Sequence, residues 1–197
     1  MNKRKILIIG VGGIGSYLTP ILSQTGLYDI TISDPDIVEK KNFLYQNFCE
    51  ARVAVSDSKK KVDALELKGN VNRNPYPILT AKQIDGYDLV ICCADNLDAR
   101  RLLYKQGFGE SCVGKWLDLR AQGRNAALIS YLADKKYSDT FLSGPEGSFS
   151  CQGEEFNKTN QPSDIHFMHT AIAGFAAQWI QRWFNGEQVI DKMFING

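Results

Sequence analysis

The sequence predicts a single α/β domain with a mostly parallel β-sheet, antiparallel strands added in the C-terminal half, and helices on both faces. Three observations support this fold. Residues 5–9 form a short β-branched run that glycine stops, as expected for a strand buried on both faces. A glycine-rich turn and a helix-like segment follow it directly. Strand-like and helix-like segments then alternate along most of the 197 residues, which is the pattern of an α/β fold.

The remaining elements are predicted from hydrophobic spacing, caps and glycine stops. The helix over 14–24 has apolar side chains on one face, although it contains Pro20. A helix over 58–68 has Ser56 or Ser58 as its N-cap and stops at Gly69. Further helices are predicted over 96–105 and 165–185, and strands over 28–33, 76–80, 88–92, 115–119, 125–132 and 189–195.

The segment from residue 134 to residue 164 breaks this alternation. It is rich in Gly, Ser, Asn, Pro and charged residues and shows little periodicity. A structureless stretch of about thirty residues is unusual in a compact domain and is often a lid or a binding loop. We predict a flexible loop here, and a surface insertion without a function is the alternative.

Composition excludes several functional classes. The chain is 44% hydrophobic and 23% charged, with 23 basic against 22 acidic residues, which argues against disorder and against a dedicated nucleic-acid or membrane-surface binder. No apolar run is long enough to span a bilayer, and the N-terminal segment lacks a signal-peptide core. We therefore expect a cytoplasmic protein without nucleic-acid or membrane partners. Five irregularly spaced cysteines without a C-x-x-C pair favour neither a disulfide framework nor a zinc site.

The hexapeptide 10–15 has the form G-x-G-x-x-G and lies between the first strand and the first helix. Glycine permits the tight turn and lets backbone N–H groups approach a phosphate at a helix N-terminus. Asp34 ends the second strand, where an acidic residue holds ribose hydroxyls in such sites, and Asp36 follows. A Rossmann-like nucleotide site is predicted, and these residues alone also fit an NAD-dependent oxidoreductase. The glycines are Gly10, Gly12, Gly13 and Gly15.

Residues 34–46 resemble a segment of the ThiF/MoeB superfamily, whose pattern there is D-x-D-x-V-x-x-x-N-L-x-R-Q, and the spacing matches without a gap. The glycine turn, the lysines of 59–62 and the motif at 94–100 resemble further motifs of the superfamily in the same order. Residues 116–119, residues 150–151 and the last helix resemble the ThiF-like proteins of plasmid and phage gene clusters. The resemblance covers most of the chain.

This resemblance implies an ATP-dependent adenylyltransferase that activates a carboxylate, with the C-terminus of a ubiquitin-like or sulfur-carrier protein as the expected partner. It also implies a homodimer, with ATP and Mg²⁺ as cofactors. Asp95 would hold Mg²⁺, because a hard cation prefers carboxylate oxygen. The implied catalytic residues are Asp95, Lys61, Asn42 and Cys151. The implied nucleotide contacts are Gly10, Gly12, Gly13, Gly15, Asp34, Asp36, Asn42, Gln46, Lys61, Asp95 and Asn96, with Lys59 or Lys60 as alternatives to Lys61 and with Arg100 closing the 94–100 motif.

Tyr45 departs from the superfamily pattern, which has arginine at this position. A phenol carries no positive charge at pH 7 and cannot make bidentate phosphate contacts. Two functions therefore stay open. One is an adenylyltransferase that is weak, altered or completed by another arginine, for example Arg52 or Arg101. The other is a non-catalytic scaffold that keeps the fold and binds a partner protein.

Cys151 lies in the loop before the last helix, where sulfur-carrier branches of the superfamily place a cysteine that links to the carrier protein. A thiolate here would accept an activated acyl group, but no histidine or lysine adjoins it closely, and a loop cysteine without chemistry is the alternative. His166 and His169 are spaced i, i+3 without an evident third metal ligand and are expected to pack at the helix start. Trp183 and its neighbours make the last helix a candidate self-association surface.

Overall fold

The computed structural model describes residues 3–53, 59–142 and 151–197. A seven-stranded sheet forms its centre, with the first five strands parallel and the last two antiparallel. This confirms the predicted fold class. The strands are β1 (Arg4–Ile9), β2 (Tyr28–Ser33), β3 (Val71–Asn74), β4 (Leu89–Cys92), β5 (Trp116–Gln122), β6 (Asn125–Ser130) and β7 (Lys192–Ile195), arranged in the order β3-β2-β1-β4-β5-β6-β7.

The two central strands, β1 and β4, lie side by side, with Ile6 opposite Leu89 and Ile9 opposite Cys92. Their apolar side chains are buried on both faces, as the unbroken hydrophobic run of β1 predicts. The strand order reverses between β1 and β4, because the chain moves outward to β2 in one direction and to β5 in the other. In open parallel sheets this reversal creates a crevice at the carboxyl ends of the strands.

Helices cover both faces of this sheet. α1 and α7 pack against each other on one face, and α7 also contacts β5 and β6. α4 packs on β4 from the opposite face, because right-handed crossovers in opposite directions place their helices on opposite faces. The α-helices in the described ranges are α1 (Gly15–Thr25), α2 (Glu50–Val53), α3 (Lys61–Ala64), α4 (Leu97–Tyr104), α5 (Lys136–Leu142), α6 (Glu154–Thr159) and α7 (Met168–Phe184).

Several predicted elements are wrong in position or length. The third strand is Val71–Asn74 rather than 76–80, because Pro75 and Pro77 lack the N–H that a sheet ladder needs. The helix predicted over 58–68 is shortened to α3, while its proposed caps Ser56 and Ser58 lie outside the described residues. The last helix begins at Met168 rather than at 165, after a 3₁₀ turn over Pro162–Asp164.

The segment 134–164 contains more regular structure than its composition predicts. Its described parts carry α5, α6 and the 3₁₀ turn, so the expectation of a structureless stretch is wrong for those parts. Phe156 of α6 is 1% exposed and anchors that helix on the domain. Flexibility of this segment stays a prediction. Within the described ranges, no helix combines the length and hydrophobicity needed to cross a membrane.

Candidate functional site

A cleft of about 640 Å³ opens at the carboxyl ends of β2, β1, β4 and β5. It lies at the reversal of strand order, where ligands bind in open α/β sheets, and its size suits a small-molecule site. The predicted site residues are far apart in the chain but meet here because the segments that carry them lie over the carboxyl ends of the strands. Those that line the cleft are Gly10, Gly12, Gly13, Asp34, Asp36, Asn42, Gln46, Lys61, Asp95, Asn96 and Cys151. Gly15 is the exception and begins α1 behind the turn.

The glycines of the turn are required for different reasons. Gly10 has a φ of 88°, and a Cβ atom there would lie 2.7 Å from the backbone nitrogen of Ala94. A Cβ atom on Gly13 would overlap the Sγ atom of Cys151. At Gly12 the nearest atom to such a Cβ is the Gln46 side-chain nitrogen, 3.9 Å away. The fold itself therefore leaves room at Gly12, and that room opens into the cleft.

Changing Gly13 to alanine is expected to destabilise the protein by about 1–3 kcal/mol, because the added methyl group overlaps Cys151. Gly12→Ala is the matched control and is expected to leave stability within about 0.5 kcal/mol. Urea unfolding measures both variants. The double change Gly13→Ala with Cys151→Gly is expected to recover most of the loss. Equal stabilities for the two alanine variants would show that Cys151 does not pack on the turn.

Asp34 ties the glycine turn to the turn after β2. Its carboxylate accepts hydrogen bonds from the backbone N–H of Val11 at 2.8 Å and from that of Asp36 at 2.9 Å. Burial raises the pKa of Asp34, and the nearby Lys61 ammonium opposes that shift. A carboxylate offers about four acceptor positions, and these two bonds leave others for hydroxyl groups in the cleft.

Of the three consecutive lysines at 59–61, Lys61 is the one that lines the cleft. Its Nζ atom lies 2.8 Å from the Asp36 carboxylate, and its side chain is 12% exposed. Burial lowers the pKa of Lys61, but Asp34, Asp36 and Asp95 outweigh that effect and leave the pKa raised. Lys61 is therefore charged at neutral pH. By contrast, the Lys60 side chain does not line the cleft, and its ammonium group donates to the backbone carbonyl of Pro35 at the cleft wall.

Asn42 and Gln46 are presented by the 3₁₀ helix Lys40–Leu44 and the residues after it. The side-chain oxygen of Asn42 accepts the backbone N–H of Glu39 at 2.8 Å, which fixes the amide group. Gln46 is 7% exposed, and its Oε1 atom has no hydrogen-bond partner in the part of the chain that the structure describes. A buried polar atom without a partner is costly, so this oxygen at the cleft wall can accept a hydrogen bond from a molecule in the cleft.

Asp95 and Asn96 have separate roles at the start of α4. Asn96 is the N-cap, because its side-chain oxygen accepts the backbone N–H of Ala99 at 3.0 Å. Asp95 precedes the cap and lies exposed at the cleft, so it is not the helix cap. Arg100 is buried and donates to Asp118 at 3.2 Å, which commits its guanidinium to the interior.

Cys151 contacts Gly13 of the glycine turn, but its thiol is not activated as a nucleophile by a lowered pKa. Burial raises its pKa to about 12, and the Asp95 carboxylate adds to that rise. The thiol is therefore protonated at neutral pH. The Nδ1 atom of the buried His169 ring lies 3.3 Å from the Gln152 side-chain nitrogen, and its Nε2 atom has no hydrogen-bond partner among the described residues. The ring packs against Tyr17 and Tyr45.

Sequence reasoning missed two features of the cleft, the packing of the Tyr45 ring and the presence of Arg120. Tyr45 is 8% exposed and packs edge-on against Phe156, with 5.2 Å between ring centroids. Arg120 lines the cleft from β5. The alternation of side chains along β5 was the sequence signal that could have placed Arg120 on the same face of the sheet as Asp118. Of the arginines expected to replace the one missing at 45, Arg101 does not line the cleft and pairs with Asp98, and the Arg52 side chain lies outside the described part.

A model of the ThiF family matches residues 1–195 of the chain. The chain belongs to the ThiF family. This assignment agrees with the ordered motifs. It argues against the NAD-dependent oxidoreductase, which fitted only the glycine turn and the acidic residues after β2.

Curated relatives in this family match about half of the chain. An adenylyltransferase and sulfurtransferase, UBA4 of Candida glabrata, is 32% identical over 111 residues, which are 52% of this chain and 25% of that protein. The molybdopterin-synthase adenylyltransferase of Haemophilus influenzae is 29% identical over 113 residues, which are 54% of this chain and 46% of that protein. The chain thus spans less than half the length of these relatives.

Solved structures match nearly the whole chain in fold. The structure of E. coli MccB with ATP has a TM-score of 0.67 and 17% identity, and covers 98% of this chain and 60% of that one. The structure of the same protein with MccA also has a TM-score of 0.67, at 16% identity with the same coverage. These similarities show that the chain shares the fold of these structures.

Proposed function

We propose that this ThiF-family chain is an ATP-dependent adenylyltransferase that activates a carboxylate. The observation that carries the proposal is the meeting of the glycine turn, Asp34, Asn42, Lys61 and Asp95 in one cleft. The relatives named as adenylyltransferases support the same activity. The proposed nucleotide site places ribose hydroxyls at Asp34 and phosphate oxygens at Gly12, Gly13, Asn42 and Lys61, with Gln46 supporting the same wall.

The chemistry requires no general base. A carboxylate oxygen attacks the α-phosphorus of ATP, an O–P bond forms, and the bond from that phosphorus to the bridging oxygen breaks. The bond electrons leave with pyrophosphate, and the products are an acyl adenylate and pyrophosphate. Because an ionised carboxylate attacks, no proton is transferred. The site must instead offset the repulsion between two anions and hold them in line, which is the task of Lys61 and the backbone N–H groups.

The site residues fit Mg²⁺ only together with the phosphates of ATP. The described residues contain no cluster of three or more His, Cys, Asp or Glu side chains suited to a metal. Mg²⁺ in nucleotide sites is commonly bound by one or two carboxylates plus substrate phosphates. Asp95 would supply such a carboxylate. Its side chain reaches solvent, but the protein atoms packed around its carboxyl group raise the pKa of Asp95, and the nearby Asp36 carboxylate adds to that rise. Bound Mg²⁺ would neutralise phosphate charge.

The proposed acceptor is the C-terminus of a ubiquitin-like or sulfur-carrier protein, in a homodimeric enzyme of the cytoplasm. The names of the curated relatives support a link to sulfur transfer and molybdopterin synthesis. A peptide is the alternative acceptor, supported by the structure of MccB with MccA. Cys151 as an acyl-accepting nucleophile is not part of the proposal, because its thiol is protonated at neutral pH.

Titration calorimetry with ATP and Mg²⁺ tests the nucleotide site. Wild-type protein is expected to bind, and Lys61→Met is expected to weaken binding by about tenfold or more, because a charge-assisted contact is lost. Lys60→Met is the matched control, since Lys60 lies outside the cleft, and is expected to bind as wild type. No binding by folded wild-type protein would refute the proposed function.

A non-catalytic scaffold is the second candidate function, and Tyr45 is the observation that favours it. Without the family arginine, the nucleotide site lacks one positive charge near Lys61. A scaffold would bind its partner without releasing pyrophosphate from ATP. An adenylyltransferase would release pyrophosphate when its acceptor is added.

A further inference from the structure

Arg120 is a cation of the cleft that the family motifs do not explain. It lies near the carboxyl end of β5, half-buried, and lines the same cleft as Lys61 and Asp95. The superfamily pattern places its positive charges at positions 45 and 61, on the other side of the cleft.

The register of the sheet fixes where Arg120 stands. The last pairing of β4 with β5 joins Cys92 to Asp118, and Arg120 follows two residues later. It is therefore level with the turn after β4 that carries Asp95. Side chains two apart on a strand share a face, so Arg120 lies on the same face of the sheet as Asp118. Beyond the end of β4, that position is the wall of the cleft.

Arg120 and two of the proposed phosphate contacts, Asn42 and Lys61, belong to opposite ends of the cleft. Asn42 and Lys61 belong to the segments after β2, whereas Arg120 belongs to β5, three strands away in the sheet order. Three strand spacings place β2 and β5 about 14 Å apart in the sheet. In-line displacement at phosphorus needs the attacking and leaving oxygens on opposite sides. If pyrophosphate leaves at the end with Asn42 and Lys61, the attacking carboxylate enters at the end with Arg120.

We infer that Arg120 binds the carboxylate that attacks ATP, and that this carboxylate is a peptide C-terminus. The inference rests on the proposed adenylyltransferase function. A guanidinium group holds a carboxylate through two parallel hydrogen bonds, which orients the carboxylate and offsets its negative charge. Asn157 and Asn160, from α6 and the residue after it, line the same cleft. Their amide groups donate and accept hydrogen bonds, as an extended peptide backbone requires.

A structural role for Arg120 makes a different prediction. Asp118 is fully buried, and its Oδ2 atom already accepts hydrogen bonds from Arg100 at 3.2 Å and from the Tyr104 hydroxyl at 2.5 Å. As a further counter-ion of Asp118, Arg120 would affect stability but not the choice of ligand. Burial and the neighbouring Arg100 lower the pKa of Arg120, which is the environment of a cation that an incoming anion stabilises.

The test compares a carboxylate with its uncharged amide. N-acetyl-diglycine and N-acetyl-diglycinamide are titrated by NMR into the full-length protein, with and without Mg²⁺ and the analogue α,β-methylene ATP. The wild type is expected to bind the acid at least about tenfold more tightly than the amide, the gain of one charge-assisted bidentate contact. Arg120→Gln is expected to bring this ratio close to one. Arg120→Lys, which keeps the charge, is expected to keep only part of it.

The controls separate this inference from stability and from the proposed function. Arg124→Gln removes the same charge from an exposed turn outside the cleft and is expected to keep the wild-type ratio. Thermal melting of each variant reports any purely structural loss. A ratio near one in the wild type, or a wild-type ratio in Arg120→Gln or Arg120→Lys, would overturn the assignment. Failure of the ATP analogue to bind wild type would instead refute the adenylyltransferase, and the acid-to-amide ratio without nucleotide would still judge Arg120.

Discussion

Changing Asp95 to asparagine is expected to weaken Mg²⁺-dependent ATP binding by at least about tenfold, or about 1.4 kcal/mol. The substitution keeps the shape of the side chain and removes the carboxylate that the proposed Mg²⁺ site needs. Binding of ATP without Mg²⁺ is expected to stay unchanged or to improve, because one negative charge facing the phosphates disappears. Calorimetry with and without Mg²⁺ measures the two opposite responses.

Folding stability is expected to change little in this variant, because Asn96 rather than Asp95 caps α4. Asp98→Asn is the matched control. Asp98 also reaches the cleft, but its carboxylate pairs with Arg101 at 2.9 Å. It is expected to bind ATP·Mg²⁺ as the wild type does. If Asp95→Asn lowers binding equally with and without Mg²⁺, the carboxylate acts on the nucleotide or the fold and not on a metal.

The parallel half of the fold could be predicted because each strand is specified locally. A run of β-branched residues ended by glycine is enough to place β1, and the same logic places β2 and β4 nearly to the residue. The prediction of β3 was wrong because this short, half-buried strand, Val71–Asn74, carries no hydrophobic run. The predicted strand over 76–80 was more apolar, but Pro77 interrupts it.

The meeting of the proposed nucleotide contacts in one cleft could be predicted because several of them follow strand ends. The carboxyl ends of parallel strands meet at one edge, so Asp34, Asp95 and the glycine turn converge whatever the loops do. The exact role of each residue was less accessible. Whether Asp95 or Asn96 caps α4 depends on a single residue of register, and only the hydrogen bond to Ala99 decides it.

The acceptor side could not be predicted, because it depends on contacts between distant parts of the chain. The position of Arg120 follows from how far β5 extends past β4, which no local pattern specifies. The contact between Tyr45 and Phe156 likewise joins two segments without any shared motif. Composition alone suggested a loop where α6 stands, since its anchor is one buried aromatic residue.

Tyr45 illustrates how such a contact changes the meaning of a substitution. From the sequence it is an arginine lost from a phosphate site. In the structure its ring is buried, packs edge-on against Phe156 and lies 6.1 Å from the His169 ring centroid. Burial raises the pKa of Tyr45, so the hydroxyl stays protonated at neutral pH. Tyr45 thereby helps to hold α6, and with it Asn157, over the cleft.

Restoring arginine at position 45 is therefore expected to destabilise the protein by about 2–4 kcal/mol and to give no gain in ATP binding. The substitution removes an aromatic contact and places a guanidinium between Phe156 and His169. Tyr45→Phe is the matched control, because it keeps the ring, and is expected to cost less than about 1 kcal/mol. Urea unfolding gives the stabilities, and hydrogen exchange of α6 is expected to rise in the arginine variant and in Phe156→Ala.

The opposite outcome would carry equal information about function. If Tyr45→Arg folds as stably as the wild type and binds ATP·Mg²⁺ more than about tenfold more tightly, the wild-type site is intact but disabled, which lies between an active adenylyltransferase and a scaffold. If α6 loosens and binding does not improve, tyrosine is part of the architecture of this cleft. Positive charge is then supplied by Lys61 on the nucleotide side and by Arg120 on the acceptor side, and the family arginine is not needed at 45.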